Sequence, residues 1–109
     1  MTTNEFLTEL KKAQTLPVED EIHGLIRFYL SDNVSEGMCY CPITLVAKKM
    51  FGLEFEIGEW DQAAYKLGLD SSDAQKIVDA SDNNLEYSPA ELTHLRSQIQ
   101  MAVLNPNDY

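Results

Sequence analysis

Apolar side chains recur along this chain mostly at intervals of three and four residues, the spacing that places them on one face of an α-helix. Six helical segments follow from that pattern. The first spans about Thr3 to Ala13, with Phe6, Leu7, Leu10 and Ala13 on its apolar face. Thr2 and Glu5 have the spacing of a capping box, in which each side chain accepts the other's backbone N–H. Pro17 opens a second segment, and its first turn collects Glu19, Asp20 and Glu21 at the positive end of the helix dipole. Val18, Ile22, Leu25, Ile26 and Tyr29 form its stripe. Residues 3–31 therefore read as an N-terminal helical pair, and Asp32-Asn33 begins a loop that continues to Cys41.

Residues 42–104 read as a four-helix unit. Pro42 starts its first helix with Cys41 at the cap; Ile43, Val46, Ala47 and Met50 share a face, Lys48 and Lys49 fill the last turn, and Gly52 is the stop. Trp60, Ala63, Ala64 and Leu67 define the next helix. Gly68 suits a left-handed cap there, and Leu69 suits the hydrophobic contact that accompanies one. A helix over about Ser72 to Ser81 buries Ala74, Ile77 and Val78. Ser88-Pro89-Ala90-Glu91 is the clearest start signal in the chain: a cap, a proline for the first helical position and a glutamate for the capping box. Leu92, Leu95, Ile99 and Val103 carry that helix's buried face, and the tail from Asn105 is expected to fray. The expected fold is all-α, about six short helices in one domain spanning residues 1–109.

Two stretches echo each other 32 residues apart. Leu53-Glu54-Phe55 precedes Glu59-Trp60, and Leu85-Glu86-Tyr87 precedes Glu91-Leu92. Alternation within each predicts a short two-stranded antiparallel ribbon, 53–56 with 85–88. Two helix–loop–helix units joined by such a ribbon resemble a pair of EF-hands, over residues 42–104. With Glu91 at the final loop position, Asp82 and Asn84 fall at the third and fifth positions, Tyr87 at the apolar eighth and Ser88 at the ninth. The pattern is degenerate: Ala80 stands at the first ligand position, and Leu85 replaces the glycine of the sharp turn. Starting the loop at Asp79 recovers a ligand there but leaves Glu91 one residue too far. The first loop places Lys48, Met50 and Gly52 at ligand positions. The resemblance implies an EF-hand-like calcium module whose ligands would be Asp79, Asp82, Asn84 and Glu91.

Residues 60–78 are also similar to a DNA-binding helix-turn-helix. Ala64 and Gly68 have the small-residue and turn-glycine spacing of that family, and Ala63, Leu67, Leu69, Ala74 and Ile77 fill its apolar positions. The exposed set on the second helix would be Ser72, Asp73, Gln75, Lys76 and Asp79, with one cation among them. Base and phosphate contacts are made mainly by Arg, Lys, Asn and Gln over a cationic surround, so this face suits protein better than DNA.

Charge sharpens that conclusion. The chain of 109 residues carries 18 acidic and 8 basic side chains, a net charge of −10. From Glu54 to Glu91 there are ten acidic residues and two basic ones, a net of −8. Such a surface disfavours nucleic acid and anionic membrane alike, and favours a partner with a basic surface. The same charges also serve solubility. No apolar run reaches membrane-spanning length and Met-Thr-Thr-Asn-Glu is not a signal peptide, so the sequence predicts a cytoplasmic protein.

Candidate chemistry is sparse. Cys39 and Cys41 are too close in sequence for an unstrained disulfide. Cys41 at a helix N-terminus would have its thiol pKa lowered by the dipole, making the pair candidate reactive thiols, although free cysteines commonly serve as small packing residues. His23 and Arg27 would sit one helical turn apart, and His94 follows Glu91 by three residues; both are ordinary surface pairings. Trp60, Tyr65 and Tyr87 are expected in the core or at its rim. Phosphate-cradling loops, nucleophile elbows and zinc motifs do not occur. The expectation is a non-catalytic regulatory or inhibitory module with no cofactor, binding a basic protein partner through Asp70, Asp73, Asp79, Asp82 and Glu86. One form of it is a phage-type inhibitor whose carboxylates imitate nucleic-acid phosphates. The small core leaves room for a homodimer.

Overall fold

In the computed structural model the described residues are 1–13, 16–19, 23–29 and 39–104. Five α-helices dominate: α1 (Thr3–Ala13), α2 (Pro42–Phe51), α3 (Trp60–Leu67), α4 (Ser71–Ser81) and α5 (Pro89–Leu104). The helical class expected from the periodicity is what the structure shows, in one domain. A small antiparallel sheet accompanies the helices, with β1 (Leu16–Glu19), β2 (Ile26–Tyr29) and β3 (Cys39–Tyr40) in the order β1-β2-β3.

The sheet replaces the second expected helix, so residues 3–31 are not a helical pair. Gly24, inside that proposed helix, has φ +71° and cannot continue a right-handed turn. The stripe had a second reading. Ile26 and Phe28, 1% and 0% exposed, alternate with the half-buried Arg27, which is strand periodicity. Phe28 lies opposite Tyr40 and Leu16 opposite Tyr29. Pro17 falls on β1, which flanks the sheet, where a missing N–H costs least. Of the remaining stripe, Leu25 is half-buried, Ile22 lies outside the described residues, and so do the side chains of Val18 and Tyr29.

The other helices start and stop as their sequences prescribe. Thr2 N–H donates to Glu5 Oε1 at 2.9 Å and Glu5 N–H to Thr2 Oγ1 at 3.1 Å, the reciprocal cap of α1. Cys41 caps α2, and Gly52 ends it with φ 71°. Gly68, φ 74°, ends α3: its N–H bonds Tyr65 O and that of Leu69 bonds Ala64 O, while the Leu69 side chain folds under to 7% exposure. α5 begins at Pro89, with Leu92 N–H on Ser88 O.

Helix α2 is the centre of the molecule. It packs on α1, α3, α4 and the sheet, and residues 42–47 are buried without a break, as expected of a helix surrounded on all sides. Phe6 and Leu10 from α1, Ile77 from α4, and Leu92, Leu95 and Ile99 from α5 complete the core. Met50, expected on the buried face of α2, is 42% exposed in the helix's last turn, where it lines a shallow surface pocket with Glu9, Lys12 and Ala13 of α1. The Val103 side chain and the tail from Asn105 lie outside the described residues.

The expected ribbon of 53–56 with 85–88 does not form; neither segment is a strand. Residues 57–59 coil into a 3-10 turn that leads into α3. Helix α4 closes instead through Asn83, a left-handed residue at φ 59°, with Asn84 N–H on Asp79 O at 2.8 Å. Both backbones are thereby committed to helix ends. No helix among the described residues is long and apolar enough to cross a membrane.

Candidate partner-binding face

Gly52 turns the chain out of α2 into Leu53-Glu54-Phe55-Glu56, an extended stretch of alternating apolar and acidic residues. Phe55, Ile57 and Trp60 pack partly against the core, while Glu54 and Glu56 stay exposed. Glu54 is held in place: Lys48 Nζ lies 2.6 Å from its carboxylate, and the buried Tyr40 donates its hydroxyl to it at 3.1 Å. The hydrogen bond from Lys48, with help from Tyr40, holds the Glu54 carboxyl below the usual range. Glu59 accepts the Glu56 N–H at 2.9 Å and so fixes the 3-10 turn.

Three adjoining grooves open on this face. A groove of about 670 Å³ lies over Tyr40, Glu54, Phe55 and Glu59. A second, about 480 Å³, runs between α3 and α4 over Trp60, Ala64, Leu69 and Ala74. A third, about 400 Å³, is lined by Phe55, Asp61, Gln62, Tyr65 and Lys66. Phe55 borders the first and third, and Tyr65 and Asp61 border the second and third, so the three form one continuous surface. Tyr65, expected in the core or its rim, is 83% exposed on the ridge between two of them. From Glu54 to Asp73 the sequence carries six carboxylates against the single cation Lys66.

The five acids expected to bind a partner are spread along α4 and the connection after it, most of them with local partners. Asp70 caps α4, its Oδ1 accepting Ser72 N–H at 3.2 Å, and Asp73 is half-buried in the first turn. Asp79 accepts from Gln75 Nε2 at 2.9 Å, and Asp82 pairs with Arg27 at 2.8 Å. At about 1.5 Å rise per residue, the two ends of that set lie roughly 18 Å apart along α4. Glu86 is exposed in the α4–α5 connection. Glu54, Glu56, Glu59 and Asp61, which border the grooves, are not among the acids expected from the sequence; the acidic–apolar alternation over 53–56 is the signal that marks the first two.

Three of the expected calcium ligands have other side-chain partners: Asp82 is on Arg27, Glu91 is on Lys76 Nζ at 3.0 Å, and Asp79 accepts from Gln75 Nε2, while Asn84 donates its backbone N–H to Asp79 O. No group of three His, Cys, Asp or Glu that could hold a metal ion occurs among the described residues. The Lys76–Glu91 pair also occupies the one cation of the α4 face, and its hydrogen bond raises the Lys76 pKa.

Cys41 corrects the expectation of an activated thiol. It is 3% exposed, and its Sγ accepts Thr44 N–H at 3.5 Å and lies 3.3 Å from Thr44 Oγ1. Burial pushes the thiol up, outweighing these hydrogen bonds. Cys39 pairs with Tyr29 through the backbone, and its side chain lies outside the described residues. His23 and Arg27 are not one helical turn apart: His23 precedes Gly24, and Arg27 lies on β2. Asn83 Nδ2 donates to His23 O at 3.5 Å. His94 is exposed on α5. Tyr87 is 86% exposed rather than at the core.

Comparison with known proteins finds no matching family model, curated protein or solved structure.

Proposed function

We propose that this chain is a non-catalytic interaction module that binds a partner's basic surface through the face made by residues 54–61, α3 and the start of α4. The observation that carries the reading is Tyr65, a large aromatic 83% exposed between two open grooves that Asp61 borders, next to a third lined by Glu54, Glu56 and Glu59. Tyrosine anchors are enriched among residues that dominate binding energy, because they bury much area at low entropic cost. Carboxylates around such an anchor steer a cationic partner, and their mutual repulsion is relieved when it docks. The buried state of Cys41 and the pairing of Asp82 and Glu91 support assigning the function to this face rather than to a thiol or a metal loop. A regulatory or inhibitory effect follows where the covered surface is the partner's working one.

Affinity capture at low salt, with the intact chain as bait, tests this. The recovered partner should bind about tenfold or more weakly to a Glu56→Lys/Asp61→Lys variant, a cost of about 1.4 kcal/mol. It should also weaken as salt shortens the Debye length from about 30 Å at 0.01 M to about 8 Å at 0.15 M. A complex indifferent to both changes refutes the reading.

A further inference from the structure

Resting on that reading, we infer that the partner element is a basic amphipathic helix, seated across Tyr65 with apolar anchors in the two slots beside it. The slot between α3 and α4 has a floor of Ala64, Leu69 and Ala74, small or folded-under side chains only 3%, 7% and 0% exposed. Trp60 and Tyr65 wall it on the α3 side. On the far side of Tyr65 the second slot opens against Phe55.

Two open apolar slots separated by one ring call for two apolar anchors separated by a short rise. Successive turns of a helix supply that at i and i+4 or i+7. A single small molecule would fill one slot and leave the other wet. The slots are lined by α3, α4 and the stretch from Phe55, with no strand edge to which an extended segment could add. The flank of the occupant is cationic, because Asp61 borders both slots and Glu56 and Glu59 border the adjoining groove, against Lys66 as the cation in the slot linings.

Trp60 is the only tryptophan in the chain and lines the first slot, so its emission reports occupancy directly. Three synthetic probes separate the possibilities: a Leu/Lys peptide of about 18 residues with leucines on one helical face, the same composition in scrambled order, and oligolysine of equal charge. The amphipathic peptide should give a saturable blue shift at low salt. It should bind about tenfold or more tightly than the scrambled one, and lose about tenfold in Tyr65→Ser, the scale of a hot-spot anchor. Glu86→Gln, outside the slots, should leave binding unchanged. Circular dichroism of Tyr65→Ser should match the parent, since the ring is mostly in water.

Equal binding of all three probes, or no effect of Tyr65→Ser, overturns the helix inference while leaving an acidic, charge-reading face intact. Failure of every probe at low salt overturns both. A concentration-dependent Trp60 shift in the free chain, with a dimer in sedimentation velocity, makes a second copy the occupant and overturns the inference as well.

Discussion

Arg96 ties the turn before β2 to the end of α4, and replacing it by methionine isolates that tie. Its Nη1 donates to Ala80 O at 2.9 Å and to Ser81 O at 3.3 Å, and its Nη2 donates to Gly24 O. Methionine keeps an unbranched apolar stem and deletes the guanidinium fork. A hydrogen bond from a charged donor contributes roughly 1.5–3 kcal/mol. The two shorter bonds therefore set a scale of about 3–6 kcal/mol. Arg96 is half-buried, so water replaces part of what is lost and the expected share is about half of that. The cation also faces the carbonyl end of α4, which adds about 0.5–1 kcal/mol. The expected loss for Arg96→Met is about 2–4 kcal/mol, or roughly 8–16 °C in Tm for a chain of this size. Urea unfolding followed by far-UV circular dichroism measures it, and an unchanged m-value identifies the effect as native-state. Arg96→Lys should fall between, since it keeps the charge without the planar fork. Amides at Asp82 to Asn84 should exchange faster in the methionine variant. A loss below about 1 kcal/mol, the range of an ordinary surface change, would show that the guanidinium does not hold this junction.

Asp82→Ala/Arg27→Ala should show a coupling of about 1 kcal/mol in a double-mutant cycle; additive single effects would mean the pair contributes nothing. Cys41 has a raised folded pKa, so its stability contribution is complete below the unfolded thiol value of about 8.5 and declines as pH rises toward the folded one. In a Cys39→Ser background, denaturation curves across that window should fall by at most about 1.4 kcal/mol per pH unit from this group, and Cys41→Ala should remove that part of the slope. Alkylation of native Cys41 should be far slower than that of the unfolded chain. Glu54 shifts oppositely: its folded pKa is depressed, so its contribution is present above about pH 4.3 and disappears as pH falls through the folded value. Glu54→Gln should flatten that acid limb in a pH titration of stability. With a net charge of −10, the free chain should gain stability as sodium chloride rises through about 0.01–0.15 M, and a flat response would show that its carboxylates do not repel effectively.

Helix ends and faces were legible because they rest on local chemistry. A Thr–Glu box, a proline at the first helical position and a glycine with positive φ each act within a few residues, and α1, α2 and α3 begin or end where those signals stand. The apolar faces of α3, α4 and α5 followed from spacing alone, and Ala63, Leu67, Ile77, Leu92 and Leu95 on those stripes are buried as that spacing requires.

Segments whose apolar residues satisfied two periods at once were not legible. Ile26 and Phe28 fit a strand as well as Ile22, Leu25 and Ile26 fit a helix, and only partners distant in sequence, Tyr40 and α2, settle which backbone buries them. Residues 53–56 and 85–88 had the converse ambiguity: alternation without a partner that pairs with them. The site shares this dependence. Aromatic and acidic residues from Glu54 to Asp73 are plain in the sequence, but whether Tyr65 faces water or core depends on how α3 leans against α2 and α4. The chain's own order of side chains thus determined its helices, their caps and its anionic excess, because these are summed over neighbours. Its sheet, the burial of Cys41, the pairing of Asp82 with Arg27 and the exposure of Tyr65 came from contacts between distant segments, which no local pattern encodes.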